Sequence, residues 1–591
     1  MPSPPAPLHP IPRPETGTPA DSAFYALAEW YLDGMLKLNP YMATYLGYHA
    51  YDALLDDFTP AGISAKLSFY EEARRRLGGV DRKTLSLGAA IDLDLVSIDA
   101  ESALFHLKEL RSHEYDPQVY NEIIGYGTLY LTILEPGAPE WPARLAALVS
   151  RLAALPRFLD SARANLRNPA AVITRFIIEQ NPGNIAFLRD EIPPLFAPYP
   201  ALSRELSRVL PDALAALEEY QKFLQTELLD RSTGTWRLGR ELWTRKLRLT
   251  LQSDLTPDEI QKRAWDRLST ERQKMFELAL PMHEKLFSGH VHRETGEALI
   301  NAIVQEVIGA ISSRHSAPGR LLDDCRKWVE RIRAFVRDRK VIDLPPDSDN
   351  FVIEPTPAFL DGMAVAFFNP APAFEPHLKK SYWVSSIPKD RADSYLREYN
   401  DYGLQNLSIH EALPGHYVQF YYALNSPIAS IYKKVFSSST FAEGWAVLCE
   451  EQMYELGYGA DGDGTGAADE AGAALLIHKK MALRAPINAL IDARLHTGSA
   501  PEEEDDRWAL ELMRTHGFQE EAEAVGKLRR AKVTSTQLST YFVGYVELFD
   551  LMEECRRRQG AAFRLKEFNE RLLSFGTVPP RAVRGLMLAD R

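Results

Sequence analysis

Ser408-Ile-His410-Glu411-Ala-Leu-Pro414-Gly415-His416-Tyr417-Val-Gln419 sets a histidine beside a glutamate and brings a second histidine six residues after the first. A His-Glu pair followed shortly by another His is the zinc-peptidase pattern: the imidazoles hold the ion, and the Glu deprotonates its bound water. In the common version the histidines are four residues apart. At about 100° per residue that leaves them about 40° apart on one helix face. Six apart, they diverge by roughly 120°, so a regular helix cannot aim both at one ion. Pro414 lacks an N–H and interrupts the hydrogen-bond ladder, and Gly415 takes conformations closed to other residues. The expectation is a bulge over Leu413–Gly415 that turns His416 back toward His410. The alternative is a helix end with a turn and two unrelated histidines.

Phe441-Ala-Glu443-Gly444-Trp445-Ala lies one helix-turn-helix further on. A carboxylate on a following helix is the third ligand in the gluzincin class of zinc peptidases, which makes Glu443 the candidate. Glu450 and Glu451 follow on the same helical face. They read as a solvated acidic face; the alternative is that they orient a ligand histidine from behind.

Around this segment the chain reads as mainly α. Leu145, Leu148, Leu152, Leu155 and Leu159 recur at helical spacing. Thr256-Pro257-Asp258-Glu259 reads as a helix start, with Thr256 as N-cap. After Lys340 short β-branched and aromatic runs appear: Asn350–Glu354, Met363–Phe368 and Ser381–Ser385. They predict a small sheet beside the active site. Residues 1–20 read as a disordered proline-rich tail, 21–340 as a helical N-terminal lobe and 341–591 as a catalytic lobe, with a deep cleft between the lobes.

Composition narrows the partners. The net charge is −13 over 591 residues, which argues against nucleic acid and against an electrostatic membrane anchor. No apolar run approaches the roughly 18 residues of a membrane span. The N-terminus lacks the apolar stretch of a secretion signal. Three scattered cysteines are no disulfide framework. Together these predict a cytoplasmic protein.

His410-Glu-Ala-Leu-Pro-Gly-His416 with the downstream Phe441-Ala-Glu-Gly-Trp-Ala446 resembles the bacterial family called domain of unknown function 885, which is placed with the zinc peptidases. Leu38–Gly47, Arg484-Ala485 with Asp492 and His496, and Gln537–Gly544 extend the likeness to roughly residues 22–585. The chain departs from the family pattern at Met363–Ala366, where Asp361-Gly362 is kept, and at Tyr417, where a third histidine is frequent. The resemblance implies a helical fold similar to thimet oligopeptidase, angiotensin-converting enzyme and the thermostable carboxypeptidases. It implies zinc on His410, His416 and Glu443, with Glu411 as base. Related folds offer a Tyr or His to the oxyanion; Tyr541 is the candidate, with Tyr545 in reserve. Arg484 is a candidate for a peptide's terminal carboxylate or else a partner of Asp492, and His496 lies one turn beyond Asp492.

Other motifs are set aside. Met282-His283-Glu284 with His290 and His292 lacks a clear third carboxylate in a matching helix and reads as an exposed helix end. Asp461–Gly466 starts like a calcium loop but has Gly472 where the bidentate Glu belongs. The expected function is zinc-dependent hydrolysis of short peptides. The alternatives are an amide hydrolase acting on a small non-peptide molecule and a non-catalytic peptide-binding protein.

Overall fold

A computed structural model describes residues 11–14, 17–135, 137–357, 360, 364–387, 389–460 and 467–589. Residues 1–10 of the expected tail, 361–363 with Asp361-Gly362 and the start of the Met363–Ala366 departure, and 461–466 of the calcium-like loop lie outside the described residues. The fold is mainly helical with one small sheet, as the periodicity predicts. Thr256 caps the helix Pro257–Leu286 in a reciprocal box with Glu259. The leucine stripe from Leu145 to Leu159 is buried along Trp141–Asn165. Ile11 is buried, and the first helix opens at Pro19, within the stretch read as tail.

Three strands form the sheet: β1 (Phe351–Pro355), β2 (Ala366–Asn369) and β3 (Lys380–Val384). β3 is central, parallel to β1 and antiparallel to β2. Every residue of β3 is buried, as suits a strand covered on both faces. β2 is an edge strand. The amide of Ser385 donates to Val365 O, so by alternation Ala366 and Phe368 turn their backbone groups away from β3.

One core of buried side chains runs across residue 340. It joins Trp243, Leu268, Val307 and Ile332 to Ile409, Trp445, Ile491 and Phe542. Within it, the helices Ser439–Glu455 and Ser539–Gln559 cross with their backbones in contact. The contact is glycine on glycine: a Cβ on Gly544 would overlap Thr440 O, and one on Gly444 would overlap the backbone of Gly544. This closeness draws Tyr541, three residues before Gly544, toward the Glu443 side of the partner helix.

Gly544→Ala should therefore destabilise the protein by about 1–3 kcal/mol or more through overpacking. Gly526→Ala, in a helix with open space at the added carbon, should be neutral or slightly stabilising. Denaturant midpoints of the two variants check this; equal midpoints would refute the crossing argument.

Candidate metal centre

The helix Asp401–Glu411 carries His410 and Glu411 in its last turn. The helix does not bulge and continue, as expected from Leu413–Gly415; it stops. Ala412 leaves helical conformation, and a new helix, His416–Asn425, opens at the second histidine. Gly415 is packed so tightly against the last turn that a Cβ would overlap His410 O and Ile409 O. Trp445 Nε1–H donates to Pro414 O at 3.1 Å and lies 3.3 Å from Gly415 O, tying the turn to the Glu443 helix. A full break works where a bulge does not, because it frees the direction of the second helix from that of the first.

The break brings the side chains together. His410 Nε2 and His416 Nε2 lie 3.4 and 3.6 Å from Glu443 Oε2. The two rings are perpendicular, with centroids 4.8 Å apart. Donor atoms held about 2.1 Å from one ion at tetrahedral angles are about 3.4 Å apart, so the spacing is that of a coordination shell. Glu443 Oε2 is buried and makes no hydrogen bond. A partnerless buried carboxylate oxygen is costly; a cation between it and the two imidazoles removes the cost, and the donor set fits. Burial opposes the charge on Glu443, yet the facing imidazoles hold its carboxyl well below the usual range. His416 Nδ1 is buried without a partner.

Glu450 is not solvated. It is buried, its Oε1 lies 2.7 Å from His410 Nδ1, and its Oε2 accepts from Asn406 Nδ2 at 2.7 Å. A carboxylate on Nδ1 keeps the proton there and leaves Nε2 free as a donor. The helix Ser439–Glu455 is buried along most of its length, which removes the solvated face expected here. Glu451 is also bound, by Arg267 and by Tyr545.

Glu411 is held at the sheet. The Phe368 N–H on the outer edge of β2 donates to its Oε2 at 2.8 Å. Burial pushes its carboxyl above the ordinary range, against the pull of His410 and His416. Tyr541 stacks on His410 with ring centroids 6.3 Å apart, and Arg530 Nη2 donates to its hydroxyl at 3.0 Å. Sequence reasoning missed Arg530. The available signal was the spacing Glu523, Lys527, Arg530, which puts three charges on one face of the helix Glu521–Val533.

The remaining candidates sit elsewhere. Tyr545 donates to Glu451 at 2.5 Å beneath Arg267. Arg484 is ion-paired with Glu398, not Asp492, and donates to Tyr399 at 3.1 Å. Asp492 instead accepts from Thr536 N–H and Ser539. His496 donates through Nε2 to Ala531 O at 2.8 Å and packs edge-on against Trp236. Tyr417 stacks flat on Phe351 and donates to Asp349.

The description of bacterial proteins of unknown function DUF885 matches residues 40–587. The chain belongs to the DUF885 family. A solved structure from Shewanella oneidensis, described as a candidate lipoprotein of unknown function, is 27% identical to this DUF885 chain. It aligns over 96% of this chain and 99% of its own, with a TM-score of 0.77. A candidate lipoprotein from Colwellia psychrerythraea shares the fold at 16% identity and a TM-score of 0.74, over 97% and 100% of the two chains. A carboxypeptidase from Pyrococcus furiosus aligns over 97% and 96% at 10% identity; its TM-score of 0.43 is too low to bear on function. No curated protein matches the chain.

The cytoplasmic expectation is corrected by these neighbours, since a lipoprotein description does not go with that compartment. The cysteine argument failed for a physical reason. The three cysteines are buried thiols, and a chain this long buries enough surface to need no disulfides in any compartment. Among the described residues, no helix is long and apolar enough to cross a membrane.

Glu450→Gln in this DUF885 protein should weaken binding of a divalent metal by roughly 10–100-fold. Competition against a chelator of known affinity measures it, and unchanged affinity would remove Glu450 from the centre.

Proposed function

We propose that the protein is a zinc-dependent hydrolase of peptide bonds in short peptides. The observation that carries this reading is the convergence of His410, His416 and Glu443 at tetrahedral spacing, with the carboxylate of Glu411 next to His410 in the chain. A zinc ion held there supplies Lewis acidity and lowers the pKa of a bound water to about 7.

The chain's own residues account for the remaining chemistry. Glu411 accepts the proton of the attacking water on Oε1, since Oε2 is occupied by the Phe368 amide, and passes it to the leaving amine. Its raised pKa suits a group that must hold a proton between the two steps. Tyr541 donates to the oxygen on which charge develops. Arg530, donating to the same hydroxyl, positions that tyrosine and makes its proton easier to give. Lys480, Arg484, Lys527 and Arg530 outnumber the Glu398 and Glu523 carboxylates they surround. This cationic excess suits a substrate bearing its own carboxylate. No nucleic-acid or membrane partner is part of this reading.

Two experiments test it. Glu411→Gln should keep its zinc and lose nearly all turnover, while Tyr541→Phe should lower kcat by roughly 10²–10³ with little change in KM. More than a few per cent of activity in zinc-loaded Glu411→Gln would end the mechanism. Short unstructured peptides should be cut and folded proteins spared; intact casein cleaved as fast as an octapeptide would end the size assignment.

A further inference from the structure

A second group of imidazoles converges far along the chain from His410. His283 ends the long helix Pro257–Leu286, His290 and His292 follow in the connecting loop, and the helix Glu297–Ile311 returns alongside. The sequence offered no carboxylate to complete this set. The hairpin does: it swings Glu306 of the returning helix into the middle of the three rings.

His283 Nε2 lies 2.7 Å from Glu306 Oε2, and His292 Nε2 lies 3.5 Å from the same oxygen. His292 Nε2 and His283 Nε2 are 3.2 Å apart, and His290 Nε2 is 3.7 Å from Glu306 Oε1. One donor atom from each of the four residues falls within 4.8 Å of all the others. Hydrogen bonding alone serves this group badly. Two Nε2 atoms face each other and the same oxygen, and one proton between them leaves the other pairings unmet. A single cation satisfies all four at once.

The surroundings point the same way. The Glu294 carboxylate lies 3.4 Å from His292 Nδ1, so the ring keeps its proton on that side and turns the Nε2 lone pair inward. The His283 and His292 side chains are only 4% and 9% exposed, whereas His290 is 50% and Glu306 36% exposed. Two ligands are thus fixed by packing, and two at the surface close over an entering ion.

We propose that His283, His290, His292 and Glu306 form a second metal site that binds zinc. Four protein ligands fill a tetrahedral shell and leave no position for a substrate, which makes the site structural. Three imidazoles with one carboxylate favour zinc over calcium or magnesium, whose shells are built of oxygen. The ion clips residues 287–296 to both arms of the hairpin. The assignment is independent of the peptidase reading, because it uses none of the same residues.

The test is zinc stoichiometry on the full chain, stripped with chelator, reloaded with zinc and desalted. Wild type should hold two zinc ions. The His410→Ala/His416→Ala protein should hold one, and adding His290→Ala/His292→Ala should leave none. Glu306→Gln alone, nearly isosteric and therefore folded, should also lose one ion. Zinc should raise the Tm of the His410→Ala/His416→Ala protein and leave that of the fourfold variant unchanged. A wild type with a single zinc that vanishes with His410 and His416 overturns the proposal. So do two zinc ions that survive Glu306→Gln, or zinc retained only at millimolar concentrations.

Discussion

The contact of Gly415 with the carbonyl groups of Ile409 and His410 is the constraint from which the centre follows. A helix that ran on through residue 416 would send its second imidazole roughly 120° away from the first. Stopping at Glu411 and restarting at His416 makes the direction of the second imidazole a matter of how two helices pack. That packing is then pinned by Trp445, which bonds the turn from the helix that also carries Glu443. One indole thus couples the position of Glu443 to the positions of the two histidines.

The glycine crossing of Gly444 and Gly544 adds a second layer. It lets Tyr541 approach His410, and Arg530 then holds the phenol from the far side. Behind the histidine, Glu450 and Asn406 fix the imidazole. His410, Glu411 and Tyr541 thus each have a partner that sets their orientation, while the Glu443 oxygen at the centre has none.

Much of this was legible in the sequence, and for identifiable reasons. The helical class follows from periodicity, and the capping box at Thr256 from residue type and spacing alone. The sheet was legible as short β-branched runs, although its bounds moved by one residue at β1 and β3 and by more at β2. The spacing of His410 and His416 left a shared site open, and it was the resemblance to the family motif that joined Glu443 to them as candidates. What escaped was whatever depends on contacts between distant segments. Glu450 reads as solvated until the core around it is built. Arg530 reads as one more surface cation until its helix is laid against Tyr541. Glu306 is one acid in a mainly apolar helix until the hairpin closes over His283. Arg484 was rightly suspected of an ion pair, but Glu398 lies 86 positions away, and no local pattern selects it over Asp492. Compartment was misread because cysteine scarcity reports how the fold is held, not where it resides.

The Gly444–Gly544 crossing also sets an order in time. His410, His416 and Glu443 leave the ribosome well before residues 530–544, which supply the tyrosine, the arginine and the glycine that seats them. A nascent chain with the first three groups already folded still lacks the opposite wall. The centre is thus finished only after the helix that carries Gly544 has been made, and a truncated product that ends before Gly544 carries His410, His416 and Glu443 without the means to complete their surroundings.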